Sequence, residues 1–222
     1  MTPFPNTGFL AEASDRLRTM LSAQATEISL TQGDVLFEQG DEGDALYAIL
    51  EGTLGVSFLA MSGRKLSLTL MKPGEVFGEI GLFDNGPRTA TIAAAEPSRV
   101  LRVRRKDVMN QIRQHPDLAV DMIRLAGLRM RWMGSQLNEQ VFLPMPIRLA
   151  RKLLHLSDLQ GDASNRITLS QSELAEFVGA TREAVSKTIS TWKRDKVVEA
   201  SRGGLKIHDF DALRELADSD LI

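Results

Sequence analysis

The chain has 222 residues, with 27 Lys and Arg against 29 Asp and Glu, 43% hydrophobic residues and no cysteine. These values suit a folded protein of one large or two ordinary domains and exclude disorder, fibrous repeats, disulfide frameworks, thiol nucleophiles, iron–sulfur clusters and cysteine-based zinc sites. A formal net charge of −2, no apolar run near the ~20 residues of a membrane span and no basic-then-apolar start point to a cytoplasmic chain without a membrane partner, in which any nucleic-acid surface is local.

Residues 9 to 25 predict a helix. From Glu27 to Asp107 follow short segments rich in Leu, Val, Ile, Phe and Thr, broken by turn signals such as Gln39-Gly40-Asp41, Glu42-Gly43-Asp44, Ser62-Gly63 and Lys72-Pro73-Gly74. Strands at about ten-residue spacing with glycine at the corners predict an all-β sandwich or barrel. Tyr47-Ala48-Ile49-Leu50 and the alternation in Leu66-Ser67-Leu68-Thr69-Leu70 fit strands with a buried face.

Within this region, FGEIGLFDNGPRTAT (residues 77–91) is the most unusual stretch. Gly78 and Gly81 permit close backbone approach, and a short helical turn through Glu79 and Ile80 would point N–H groups at an anion. Arg88 offers a guanidinium fork and Thr89 a hydroxyl, both suited to phosphate oxygens, while Glu79 is an acceptor for a sugar hydroxyl. An anion and a ribose on one segment mean a nucleotide; the same residues also describe a plain turn in which Arg88 pairs with Asp84.

A long helix is predicted from Pro116 to Phe142, proline being well placed at its first position. Ile123, Ala126, Met130, Met133 and Leu137 recur at spacings of 3, 4, 3 and 4, a coiled-coil seam, and Leu118, Met122, Leu125 and Trp132 form a second stripe. One stripe is expected to face the helix's own domain and the other a symmetry mate, giving a homodimer through residues 118–141. Phe142-Leu143-Pro144-Met145-Pro146 then forms a joint, with Leu143 and Met145 expected outside any helix because each precedes a proline. A helix from Ile147 to Ser157 and a polar loop at 161–165 follow.

Ser170-Gln171-Ser172-Glu173 is a capping box, opening a short helix from Glu173 to Phe177 that stops at Gly179. Thr181 caps a second helix with Ala184, Val185, Ile189 and Trp192 inward and Arg182, Glu183, Ser186 and Lys187 on another face. Two short helices joined by a tight glycine turn make a helix-turn-helix, whose second helix enters the major groove of double-stranded DNA. Arg182 suits guanine, Glu183 the cytosine amino group, and Lys187 a guanine or a phosphate; Ser170, Gln171 and Thr181 lie at the helix starts where the DNA backbone would pass. Val197–Ala200 and Leu205–Ile207 form a hairpin with Arg202 at its tip, a wing placed to touch phosphate. Val178 to His208 holds seven bases and three acids, a surplus of +4, which leaves −6 for the rest of a chain of −2.

The order of β-barrel, long helix and winged helix-turn-helix, with FGEIGLFDNGPRTAT in the first and TREAVSK in the last, resembles the Crp–Fnr family of bacterial transcription regulators over Ser29 to His208. The resemblance implies an α+β protein: a jelly-roll cyclic-nucleotide-binding barrel (residues 1–115), a dimerisation helix (116–142) and a winged helix-turn-helix DNA-binding domain (143–222). It implies that Gly78 and Glu79 bind phosphate and ribose, that Arg88 and Thr89 bind the cyclic phosphate, that Val56, Leu68 and Thr69 line a base pocket, and that Arg129 lies near Glu79. Met133, Gly134 and Ser135 fall where the cyclic-AMP-binding members carry a Thr-Ser pair for adenine, and Thr89 is the residue cyclic-GMP-binding domains often use, so the implied ligand is cyclic AMP, cyclic GMP or both. Arg182, Glu183 and Lys187 match the base-reading positions, which implies a palindromic operator with TGTGA-like half-sites and RNA polymerase as a further candidate partner.

No Gly-x-Ser-x-Gly, His-Glu-x-x-His or Walker-type loop is present, and His115, His155 and His208 are scattered, so neither an enzyme nor a metal site is expected. Two other readings stay open: a Crp–Fnr-type regulator with a different effector or constitutive DNA binding, and a cyclic-nucleotide-binding module that controls a partner protein.

Overall fold

The computed structural model describes residues 8–160, 166–201 and 204–218. The chain forms two compact units, one of Met1–Arg64 and Leu68–Met133, the other of Lys65–Ser67 and Gly134–Ile222.

The first unit opens with two helices where one was expected, α1 (Gly8–Glu12) and α2 (Asp15–Gln24). The break has a local cause. Ser14 sits in extended conformation and its hydroxyl accepts from the Leu17 N–H at 3.1 Å, so it caps a new helix instead of continuing the old one. Eight strands follow, β1 (Thr26–Leu30), β2 (Val35–Phe37), β3 (Ala45–Glu51), β4 (Leu54–Leu59), β5 (Lys65–Met71), β6 (Val76–Phe77), β7 (Thr91–Ala94) and β8 (Ser98–Arg104), with α3 (Glu79–Asp84) between β6 and β7. The barrel resolves into two four-stranded sheets of jelly-roll type, ordered β1-β8-β3-β6 and β2-β7-β4-β5.

The two sheets share one core: Tyr47, Ile49, Phe77 and Val100 from the first pack with Leu54, Met71, Ile92 and Ala94 from the second. Strand β3 is buried from Ala45 to Leu50 with both faces covered; Leu46 and Ala48 point the other way, into a second core with Leu17, Met20 and Leu21 of α2. Val108 of α4 (Arg105–Gln114) and Leu118, Met122 and Leu125 of α5 (Asp117–Phe142) complete that core. These three α5 residues belong to the second stripe, which therefore faces its own unit. The heptad stripe is exposed: Ile123 70%, Met130 73% and Leu137 65%. Helix α5 is shared, its residues to Met133 belonging to the first unit and those from Gly134 to the second.

The second unit holds α6 (Met145–Gln160), β9 (Arg166–Ile167), α7 (Gln171–Val178), α8 (Arg182–Arg194), β10 (Val198–Ser201), β11 (Gly204–Ile207) and α9 (Phe210–Asp218). Met145 is helical, against expectation. The Ile147 and Arg148 N–H groups both reach the Pro144 carbonyl at 3.1 Å, so Pro146 falls in the first turn, where its missing N–H removes no bond. Strands β10, β11 and β9 form the three-stranded wing sheet, with β10 and β11 antiparallel. Among the described residues no helix is long and apolar enough to cross a membrane.

Candidate functional site

In the first unit the glycine-rich stretch becomes the end of β6, α3 and the loop that leads back into β7. Gly78 has φ +88°, a left-handed conformation that a side chain would strain, and a Cβ there would stand 2.8 Å from Arg88 Nη1 and 2.9 Å from the Ala45 carbonyl oxygen. Glu79 is 3% exposed and faces Arg129 of α5, whose Nε lies 3.5 Å from Glu79 Oε1 and whose Nη2 donates to the Val76 carbonyl at 3.2 Å. Burial pushes the nearby Glu75 carboxyl above its ordinary range, and the Arg129 charge partly opposes that. Ile80 is half-buried on α3 and Thr89 is exposed.

Arg88 is the centre of the arrangement. It is 4% exposed, yet only part of its guanidinium is satisfied: Nη1 donates to the Gly78 carbonyl at 3.1 Å and Nη2 to the Ala45 carbonyl at 2.9 Å, while Nε is buried without a partner. Its Cζ lies 4.4 Å from the centroid of Phe37 and 5.4 Å from that of Tyr47, so aromatic faces hold the cation from below. Its acidic neighbour is Asp44, at 3.6 Å from Nη2, and not Asp84, which instead accepts from the Gly86 N–H at 2.8 Å. Phe37, Tyr47 and Asp44 are not among the site residues expected from the sequence, where Tyr47 reads as strand and Asp44 as turn.

The base-lining set divides. Val56 packs against the shared inner core, and Thr69 is in phase with buried Met71 on β5. Leu68 is one residue away, so the two-residue period of a strand turns it to the opposite face, with Leu70, whose Cδ2 stands 3.9 Å from the Cβ position of Gly55. Met133, Gly134 and Ser135 are exposed along α5.

The second unit presents the helix-turn-helix. Ser170 accepts from the Glu173 N–H at 3.2 Å and Glu173 Oε2 accepts from the Ser170 N–H at 2.7 Å, so this hydroxyl is committed to the cap and α7 starts two residues earlier than expected. Gly179 ends α7 in a left-handed conformation, and Thr181 caps α8 by accepting from the Ala184 N–H at 3.2 Å. Val185, Ile189 and Trp192 are buried, which turns Arg182, Glu183 and Lys187 outward; none of the three pairs with another described residue. Ser186 and Gln171 are half-buried. Beside them runs a groove of about 600 Å³ whose polar lining includes Ser170, Gln171, Arg182, Ser190 and Lys193. Ser190 and Lys193 were not anticipated. Arg202 at the wing tip lies outside the described residues. At the base of the wing, His208 lies 2.9 Å from Glu199, and this hydrogen bond holds the Glu199 carboxyl below its usual range.

A jelly-roll unit with a buried arginine socket, a long helix with an exposed apolar seam and a winged helix-turn-helix with Arg182, Glu183 and Lys187 turned outward are the parts of a transcription regulator. Comparison with known proteins gives the family. A cyclic nucleotide-binding domain matches residues 27–115 and a Crp-like helix-turn-helix domain matches residues 147–216. A CRP-like cAMP-activated global transcriptional regulator of Mycobacterium tuberculosis is 30% identical over 205 residues, covering 90% of this chain and 88% of that protein. The cyclic AMP receptor protein of Thermus thermophilus is 32% identical over 186 residues, 84% of this chain and 85% of its own. A solved CRP/FNR-family transcriptional regulator, also from Thermus thermophilus, is 27% identical with a TM-score of 0.71, over 87% of this chain and 99% of its own. The chain belongs to the Crp–Fnr family and is a cyclic-nucleotide-binding transcription regulator of the CRP type.

Proposed function

We propose that this regulator binds cyclic AMP or cyclic GMP in the first unit and, as a homodimer, reads a TGTGA-like palindrome in double-stranded DNA. The observation that carries the proposal is Arg88: a buried guanidinium with an unpaired Nε, packed against a glycine whose missing Cβ makes room for it and near a buried carboxylate. A cyclic nucleotide brings one negative charge, a ribose hydroxyl and a planar base. Arg88 would hold the phosphate, Glu79 would accept the ribose hydroxyl with Arg129 keeping its charge compensated, and Val56 and Thr69 would meet the base. Helix α3 has only six residues, so the anion chemistry rests on Arg88 and the Gly78 backbone rather than on a helix dipole.

The choice of ligand rests on three residues and two relatives. Thr89 and the Met133-Gly134 pair favour including cyclic GMP, while the names of the mycobacterial and Thermus relatives favour cyclic AMP. Dimerisation is supported by the exposed apolar seam of α5, a surface that a monomer would not leave in water. A two-fold dimer presents two α8 helices to successive major grooves about 34 Å apart, which requires a palindromic operator. RNA polymerase is the further partner through which such a complex would act.

Calorimetric titration of the full chain with cyclic AMP and with cyclic GMP, repeated with a TGTGA palindrome present, tests the reading. Saturable binding of at least one nucleotide is expected, tightened by DNA because coupling between two binding sites is reciprocal. Arg88→Ala should abolish nucleotide-stimulated DNA binding and leave the dimer intact by sedimentation. Absence of heat with either nucleotide, with unchanged DNA affinity, would overturn the ligand assignment and favour a member with another effector.

A further inference from the structure

We propose that Asp44 is a built-in competitor for Arg88, a resident anion that sets how strongly the socket takes an incoming phosphate. The inference rests on the nucleotide reading given above and concerns a residue that reading does not use.

Three observations place Asp44 in this role. Its Oδ1 stands 3.6 Å from Arg88 Nη2, and it is the one carboxylate within ion-pair distance of Arg88 among the described residues. Its other oxygen, Oδ2, accepts from Arg102 Nη2, so a single carboxylate serves two guanidinium groups, and Arg102 Nε is itself buried without a partner. The backbone around it is fixed on both sides. The Arg105 N–H donates to the Asp44 carbonyl at 2.7 Å, the Arg88 N–H to the Asp41 carbonyl at 2.7 Å, and the Gly40 N–H to the Arg88 carbonyl at 2.9 Å. The loop that carries Asp44 is thus held by backbone hydrogen bonds to the segment that carries Arg88.

The two Nη atoms of Arg88 spend their hydrogen bonds on carbonyl dipoles, which leave the positive charge uncancelled; Asp44 supplies the counter-charge. An anion that approaches Nε meets both the attraction of Arg88 and the repulsion of Asp44. Arg102 offers Asp44 a second cation to lean on when the first is taken, so the charge can be handed over without being stranded. Aromatic contacts from Phe37 and Tyr47 keep Arg88 in place through that exchange. On this view Asp44 holds down the affinity of the socket and is a positioning residue rather than a ligand contact.

The test uses the full chain and both cyclic nucleotides. Asp44→Asn keeps the shape and removes the charge, and should tighten cyclic nucleotide binding by about three- to ten-fold, the order expected for one partly exposed ion pair. Arg102→Gln leaves Asp44 to Arg88 alone and should weaken binding by a similar factor. The opposite signs are the discriminating readout, because a merely structural role for the Asp44 cluster would weaken binding in both variants. Thermal melting of each variant establishes that it is folded, and Asp44→Ser, which also removes the charge, takes the place of Asp44→Asn if that variant does not fold. Weakened or unchanged binding in folded Asp44→Asn, or tighter binding in Arg102→Gln, overturns the role of Asp44 and leaves the site reading intact. A wild-type chain that binds neither nucleotide overturns the site reading, and the inference with it.

Discussion

Two glycines in this chain should respond to the same substitution with opposite sign. At Gly78, φ is +88° and a Cβ would come within 2.9 Å of the Ala45 carbonyl oxygen, a backbone atom with no rotamer to escape into, and 2.8 Å of Arg88 Nη1. The left-handed conformation costs an ordinary residue about 1–2 kcal/mol, and displacing Arg88 from the Gly78 carbonyl forfeits a charge-assisted hydrogen bond of about 1.5–3 kcal/mol. Gly78→Ala should therefore destabilise the first unit by about 2–5 kcal/mol. At Gly134, inside α5, nothing lies within 4 Å of the Cβ position, so Gly134→Ala should stabilise by about 1 kcal/mol through helix propensity alone. Differential scanning calorimetry reads both effects, with a melting shift of about 2–4 °C per kcal/mol for a chain of this size. The Gly78 variant should also lose cyclic nucleotide affinity, because its Cβ evicts the Arg88 fork. A Gly78→Ala protein that melts and binds like wild type, or a Gly134→Ala protein that melts lower, would refute the geometry from which both values are worked.

Other expectations follow from single residues. Arg182→Ala should cost about 1–3 kcal/mol per half-site and relax one base preference in a selection from random operators; equal losses on specific and random DNA would mean a phosphate contact only. The Glu75 carboxyl titrates above its ordinary value of 4.5 because it is buried, so its folded-state pKa exceeds its unfolded one. Its stabilising contribution is present below pH 4.5 and lost as pH rises through the raised value, so Glu75→Gln should raise the melting temperature relative to wild type at pH 7 and not at pH 4. Glutamate at both Met130 and Leu137 should dissociate the dimer in sedimentation experiments while leaving the circular dichroism spectrum of the folded units unchanged, since both side chains are exposed in the single chain.

What could be read from the sequence was what local physics decides. The Ser170–Glu173 capping box, the left-handed Gly179 and the cap at Thr181 involve residues three or four apart, and each appears in the structure as a hydrogen bond or a dihedral angle. The two stripes of α5 were legible because helical periodicity sorts side chains without knowledge of their partners. The surroundings of Arg88 were not legible, because Phe37, Asp44, Ala45 and Tyr47 reach it from 41 to 51 positions away through sheet pairing. Local rules also failed where two of them competed. Ser14 reads as an ordinary helical residue until its capping bond is seen, and Met145 obeys the rule against helix before proline only if the helix has not just begun.

Helix α5 carries side chains that serve both compact units. One face is committed to the first unit through Leu118, Met122 and Leu125 and through buried Asp121, which accepts from the Ser14 hydroxyl. On the same helix Arg129 grips Glu79 and the Val76 carbonyl, so a change in charge at the socket reaches α5 through a single side chain. The exposed seam of Ile123, Met130, Met133 and Leu137 runs along the same helix at spacings of 7, 3 and 4. Beyond Met133 the helix belongs to the second unit, where Glu139 lies 3.6 Å from Arg151 of α6 and Gln136 accepts from Lys152 at 2.8 Å. The contact with Glu79, the exposed seam and the contacts with α6 thus all lie on side chains of one helix. Variants of Arg129 should consequently change nucleotide affinity and DNA affinity together, whereas variants of Arg151 should change DNA affinity alone.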